Sequence, residues 1–507
     1  MKKGIWLFLL SVGVLWGAKG SVLIECGQEG AYIFVNGKKK AMTGTRPTTI
    51  KLEEGEHLIS IEKEEEEWVY RGEKKIFVGE DTTTQISIDT ERTPTQARKE
   101  RLLKEEQARK VKIDAKEVLK QKLTKYVYGG YDSDNFESVI EDGENLVLAG
   151  NTYSKGNGSS DAWIIKQSKN GKILWNKTYG GKEYDALTEM VKLSNGNYVF
   201  VGRTRSYSKN EKIWLVTVSP EGKMLRKTFY TIKNFNEITG MAASKNGDIA
   251  LVGTTRYKVG KGFFDSASST FVICVNKKGK RKWTKLYKAN KRENSFYAYS
   301  INSTNQGYVI TGAHSRKKKG ESILGYQDYI VMNIDKKGKE LWRRTLKSYN
   351  ITEILGSYAA IETKNGDIVS TGFDGRGGDA MRTIVVRMDK KGSIKWKKLY
   401  GGNHINHGIG KALRELDDGS LLVSGEITYK QNDNDTHFNI FKIDAEGNEL
   451  WQKSYGGKNQ SMPKDMIVTK EGTIAIVGWT YSFGEMNEND RESNAWLIHL
   501  DNTGNLK

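Results

Sequence analysis

Few side chains in this 507-residue sequence have the types and spacing that chemistry needs. His404 and His407 form an H-x-x-H pair, but it lies in a glycine-flanked loop without an intervening glutamate. A helical metal site is therefore not expected there. The acidic clusters (Asp132 with Asp134; 432–435; 487–490) lack the regular ligand register of a calcium loop. No Gly-x-Ser-x-Gly nucleophile elbow occurs, and Cys26 and Cys274 form no Cys-x-x-Cys. No catalytic residue, metal or cofactor is assigned. Two sets remain. Asp134, Asp185 and Asn406 follow Tyr-Gly-Gly-like turns at what read as equivalent places. They either ring the mouth of a channel or cap turns by satisfying backbone donors. The second set mixes aromatics with arginine: Tyr153, Arg205, Tyr207, Arg256, Tyr257, Tyr326, Arg376, Tyr429, Trp479 and Tyr481, with Arg316 beside them. That mixture suits an interface or a carbohydrate platform, unless the tyrosines pack beneath their own loops.

The elements that position these residues are legible in repeats. A glycine followed four residues later by tryptophan recurs as Gly171/Trp175, Gly279/Trp283, Gly338/Trp342, Gly392/Trp396 and Gly447/Trp451, with Arg226 replacing Trp after Gly222. An Asn/Asp-Gly-like turn, a short apolar run and a second glycine recur seven times, from Gly143/Gly150 to Gly472/Gly478. A third apolar run centres on Trp163, Trp214, Phe271, Tyr329, Ile384, Phe438 and Trp496. Four strands per unit at this period predict a seven-bladed β-propeller over 126–507. The sequence stops before a seventh Trp run, while residues 123–130 match the end of one, so strands from both ends are expected to complete one blade. Short turns between strands one and two and between three and four should share one face. The other face should receive the long, dissimilar loops at 151–162, 203–212, 254–269, 313–328, 373–382, 426–437 and 479–494, which carry the aromatic–arginine set.

Upstream, residues 21–92 alternate apolar and polar in short runs, with Asn36-Gly37 leading into a Lys-rich turn at 38–40 and Glu54-Gly55 as a break, which predicts an antiparallel sheet of about five to six strands. Residues 93–125 read as a charged connector helix, with Thr93-Pro94 as its start and Leu103, Val111, Ala115, Val118, Leu119 and Leu123 as an interrupted apolar stripe. It serves as a spacer or, alternatively, a dimerisation element. Residues 1–20 combine a basic start, a short apolar run and small residues, which predicts an export signal, with no transmembrane segment in the remainder. The two cysteines, in different modules and each in an apolar run, are expected to be buried free thiols.

Mean hydropathy of −0.62 excludes a polytopic membrane protein. The net charge of +19 is uneven: residues 1–90 hold 12 Lys/Arg against 14 Asp/Glu, residues 91–125 hold 12 against 6, and the repeats carry the rest of the excess. For an exported protein this points away from nucleic acid and towards an anionic envelope polymer or a protein partner, unless dispersed lysines only solubilise the turns.

Two resemblances sharpen this. Gly30-Ala31-Tyr32-Ile33-Phe34-Val35-Asn36-Gly37, then Thr45-Arg46-Pro47, then Leu52-Glu53-Glu54-Gly55-Glu56-His57 resembles the PEGA domain, although Gln28 stands where its namesake motif has proline. The resemblance implies a non-catalytic envelope β-sandwich, with His57 packing a turn corner. The Trp-x-Lys-x-Tyr-Gly-Gly pattern (Trp175 to Gly181) resembles bacterial seven-bladed propeller repeats of the SBBP type, and the Asp-x-x-Gly-x-x-x-Trp stretches (Asp389 to Trp396) resemble quinoprotein-like propellers. The expected function is an exported, non-enzymatic envelope scaffold, periplasmic or at the cell surface, that binds a protein or cell-wall partner on the loop-rich face. The alternative is a propeller enzyme, glycan-active or quinone-dependent, with its site at the channel mouth.

Overall fold

The structure is a computed structural model that describes residues 19–258, 266–289, 294–316, 326–349, 353–375, 381–401, 405–429, 435–484 and 492–507. Most of the expected export segment, as well as Arg376 and His404, lies outside the described residues. The chain divides into two compact units, Met1–Leu119 and Lys120–Lys507.

In the first unit a three-stranded sheet (Thr48–Glu53, Lys19–Glu25, Thr83–Ser87) and a five-stranded sheet (Lys38–Met42, Tyr32–Val35, Gly55–Glu64, Trp68–Val78, Glu91–Pro94) share one core. Alternation sets the faces: Val22 and Ile24 from one sheet and Ile33, Val35, Ile59 and Ile61 from the other point inward and are buried. Asn36 and Gly37 both have positive φ (48° and 78°), the conformation of a tight hairpin. His57 closes the corner. Its Nε2 donates to the Glu53 carbonyl at 2.9 Å and its Nδ1 accepts from Asn36 Nδ2 at 3.1 Å. Two local expectations are corrected. The Lys38-Lys39-Lys40 run is an edge strand, not a turn, because its lysines project into water from an otherwise open edge. Pro94 ends a short strand paired with Trp68, and the helix Gln96–Thr124 is capped instead by Thr95, whose Oγ1 accepts from Arg98 N at 3.3 Å. Along that helix Leu103, Val111, Val118 and Leu119 are exposed. Both cysteines are free thiols.

The second unit is a β-propeller: its described residues form seven four-stranded antiparallel sheets. The first runs Asp134–Asp142, Asn145–Thr152, Asp161–Ser168, Ile173–Tyr179, and the five after it repeat that order. Second and third strands are buried on both faces because neighbouring sheets cover them, which explains their continuous apolar runs, whereas outer strands are mostly exposed. The seventh sheet takes its fourth strand, Val127–Tyr128, from the start of the unit, pairing Tyr128 with Ala495 and Val127 with Trp496. Phe136, Leu148 and Trp163 of the first sheet pack with Ala475, Val477 and Leu497 of the seventh, so the circuit of sheets closes. In this unit no helix is long and apolar enough to cross a membrane among the described residues, and the same holds for the first unit.

Candidate functional site at the channel mouth

The repeated Trp and Gly are a clasp between successive sheets. Trp175, Trp283, Trp342 and Trp396 each donate Nε1–H to a backbone carbonyl in the outer turn of the following sheet, at Pro220, Lys336, Lys390 and Ala445, over 3.0–3.1 Å. Tyr179, Tyr230, Tyr287 and Tyr400 reach the carbonyls of Gly222, Gly279, Gly338 and Gly447 at 2.6–2.8 Å. Those glycines have φ near 80°, and a methyl at Gly222, Gly338, Gly392, Gly447 or Gly504 would meet a Trp ring of the preceding sheet at 2.7–3.1 Å. Trp451 corrects the expectation that all five repeat tryptophans are alike. Its half-buried ring packs over Gly504, but its indole N–H has no hydrogen-bond partner among the described residues. The physical reason is local: Tyr455 bonds the Gly504 carbonyl and Lys453 bonds Asn505 at this joint, and the tryptophan contributes contact only. The Gly–Trp spacing read along the chain is thus satisfied across the boundary between sheets. These tryptophans hold the scaffold and line no part of the channel-mouth cleft described below.

Asp134 and Asp185 cap turns. Asp134 Oδ2 accepts from Gly130 N at 2.9 Å and Ser154 Oγ at 2.7 Å. Asp185 Oδ2 accepts from Gly181 N at 2.7 Å and Ser206 Oγ at 2.5 Å, and its Oδ1 from Thr204. Strand register corrects the third member of that set. Asp134 lies opposite Thr152 and Asp185 opposite Thr204, each two residues beyond the second-strand glycine. The same place in the sixth sheet, opposite Ile427, belongs to Gly408, and Asn406 is exposed two residues earlier.

The aromatic–arginine set separates into packed and open members. Tyr207 packs on Trp214 and Phe229 and donates to the Gly180 carbonyl at 2.8 Å, under its own loop. Tyr326 lies beneath the Arg316 guanidinium at 4.7 Å, and Arg316 forks onto buried Asp328 at 2.7 and 2.9 Å. Tyr429 hydrogen-bonds Ser454, Arg205 pairs with Glu211 at 2.9 Å, Arg256 is exposed and Tyr257 is half-buried. Trp479 meets Tyr481 edge-on at 5.0 Å. Of the whole set, the structure brings Tyr153 and Trp479 together with Asp134 around a cleft of about 440 Å³.

This cleft is the upper channel, and most of its floor was invisible to motif reading. In every sheet the innermost strand carries a β-bulge at the same level, and the bypassed residues are Glu137, Thr188, Thr239, Tyr299, Tyr358, Lys411 and Lys464. A bulge re-aims a side chain out of the ladder. Glu137, Thr188 and Lys464 line the cleft with Asn135, Asn151, Tyr184, Arg203 and Glu237. Glu137 Oε2 lies 3.3 Å from Lys464 Nζ, and Oε1 accepts from Asn135 Nδ2 at 2.5 Å. Arg203 donates to Tyr184 Oη at 3.2 Å and lies 5.3 Å from the ring centroid. Thr254 Oγ1 lies 3.3 Å from Glu237 Oε1. Burial and the adjacent Tyr184 push the Tyr153 hydroxyl above its ordinary range. The bypassed residues stand thirteen or fourteen places before each second-strand glycine, a column with no residue type common to all seven and therefore no motif.

One residue deeper, Glu189 accepts from Met241 N at 2.7 Å. Burial raises its carboxyl to about 8, with Asp465 adding to the shift and Arg414 opposing it. No group of three metal-ligating side chains occurs among the described residues.

No family model matches the chain, including the stretch that resembles the PEGA domain, and no curated protein matches it. Among solved structures the propeller is similar to the polysaccharide lyase Uly1 at 8% identity over 74% of this chain and 92% of that one, with a TM-score of 0.48. The periplasmic gluconolactonase PpgL of Pseudomonas aeruginosa is 12% identical over 71% and 93%, with a TM-score of 0.45. The β-propeller domain of the Trilobed protease from Pyrococcus furiosus is 11% identical over 73% and 94%, at 0.41. At these identities the likeness is one of fold alone.

Proposed function

We propose that the propeller is a binding module that takes a hydroxyl-rich ligand, of the saccharide class, in the channel-mouth cleft without transforming it. It is the cell-wall partner of the envelope scaffold that the sequence suggests, with the PEGA-like sandwich as its companion module. The carrying observation is the pairing of Tyr153, Tyr184 and Trp479 with fixed donors and acceptors in one concave site. Aromatic faces suit the C–H faces of sugar rings, and the Asn135 amide with the Arg203 fork suits hydroxyls. Turnover is not expected because the carboxylates at the cleft are already engaged. Glu137 is committed to Lys464 and Asn135, Asp134 holds Gly130 and Ser154 through Oδ2, and Glu237 accepts from Thr254, so each carboxylate at the cleft already has a partner.

Titrating the protein with a panel of neutral oligosaccharides while following tryptophan fluorescence tests this. At least one should bind, and Trp479→Ala or Tyr153→Ala should weaken binding by about tenfold, the scale of one aromatic anchor. Binding unaffected by either change, or none across the panel, would sink the reading. Glu189 favours one rival. A carboxyl that keeps its proton at neutral pH is the form a glycan-active enzyme uses as general acid. Cleavage of a bound oligosaccharide that Glu189→Gln abolishes would establish that rival.

A further inference from the structure

Near the bulges most of the basic side chains face a carboxylate among the described residues. Lys464 pairs with Glu137 at 3.3 Å, Arg414 with Asp465 at 2.8 Å, and His407 Nε2 faces Glu426 at 3.4 Å. Lys411 occupies the bulge between these groups, in the same register place as Lys464 and Glu137. Its Nζ sits 3.8 Å above the Tyr358 ring, and Tyr358 in turn stacks on Tyr299 at 4.8 Å and 16°. Beyond that ring face, Lys411 has no ion pair and no hydrogen bond among the described residues.

An ammonium withdrawn from water without a hydrogen-bonding anion is costly, and a ring face recovers only part of what water supplied. Burial lowers its pKa, Glu426 and Glu137 oppose that shift, and Lys464 adds to it. The stacked tyrosines form a rigid seat that keeps the amine at the level of the cleft floor.

We propose that Lys411 is an anion-recognition residue, and that the ligand of this channel is a hydroxylated ring compound carrying one acidic group, a carboxylate or a sulfate ester. This rests on the binding reading above and narrows it. The neutral part of the ligand lies against Tyr153 and Trp479, and its acidic group reaches around the ring of bulges past Lys464 to Lys411. Lys464 is already matched by Glu137, so it discriminates less.

The test compares three probes on the full chain by calorimetry: a hexuronate oligosaccharide, its carboxyl-reduced form, and that reduced form bearing a sulfate ester. One charge-assisted contact should make an acidic probe bind about tenfold tighter than the reduced one. Lys411→Met should bring the three within about twofold of one another and leave the neutral affinity unchanged, whereas Lys411→Arg should keep the preference. Whichever acid shows the preference identifies the anionic group. Neutral binding without acid preference, or a preference that survives in Lys411→Met, overturns this inference and leaves the binding reading standing. No binding by any probe overturns both. Unchanged thermal melting of Lys411→Met and Lys411→Arg confirms that the comparison is between folded proteins.

Discussion

At the residue scale, polar side chains of one type do two jobs here, and their hydrogen-bond partners decide which. Asp134 and Asp185 come after turns that need backbone donors satisfied, and the Oδ2 of each is consumed there. Glu189 instead lines the channel with one backbone donor and a carboxyl raised to about 8 by burial. The folded protein therefore holds a proton that the unfolded chain has already released above the ordinary carboxylate range. Stability should fall as pH rises from about 4.5 through about 8 and level off beyond it. Glu189→Gln keeps a carbonyl acceptor for Met241 and removes the titration. It should melt about 2 °C or more above the wild type at pH 9 and together with it near pH 4.5. Parallel pH profiles of the two proteins would overturn this account of Glu189. Type and neighbours in sequence were enough to anticipate turn capping. The ionisation of Glu189 depends on Asp465 and Arg414, which come from two other sheets.

At the element scale, the fold is carried by a joint repeated between sheets. An outer strand alone is exposed and weakly held, and its Trp and Tyr fasten it to the next sheet's glycine turn. Gly392 illustrates the constraint: its φ is 81°, and a methyl there would meet the Trp342 ring at 2.7 Å. Gly392→Ala should destabilise the propeller by about 1–3 kcal/mol, since left-handed backbone and ring contact are both penalised, with denaturant melts as the measure. Gly419→Ala has a similar φ of 78° and no atom within 4 Å, so a smaller loss there would isolate the tryptophan's part. The repeats exposed these joints in the sequence because the same chemistry recurs at each. The spacing could not show that Trp451 keeps the ring contact and drops the indole hydrogen bond, since that depends on the turn it meets in the next sheet. Single-use elements were harder still to read. The lysine edge strand Lys38–Met42 has the composition of a loop, and Thr95 was hidden as a cap by Thr93-Pro94 just before it.

At the scale of the propeller unit, closure depends on residues that precede the first complete sheet. Val127–Tyr128 completes the seventh sheet, and Trp496 donates Nε1–H to the Leu123 carbonyl at 2.8 Å. A variant beginning at residue 130 should bare the Asn494–Leu500 edge, melt about 5 °C or more below a 120–507 variant, and self-associate in sedimentation. Equal melting of the two monomers would show that the closing strand is dispensable.

The sequence by itself determined the β-propeller, the strand order within its sheets and the origin of the closing strand. Those features follow from local periodicity, turn chemistry and repetition, all of which are properties of neighbours along the chain. Tertiary structure alone decided the site. The bypassed bulge residues from Glu137 to Lys464 share a level in the channel but no one residue type, so no motif in the sequence groups them. It also decided which aromatics are free. Tyr207 and Tyr153 are alike in loop position, yet one packs on Trp214 and Phe229 while the other opens onto the cleft. The closing of the ring brings Lys464 of the last sheet against Glu137 of the first, a pairing across more than 300 residues that no local pattern encodes.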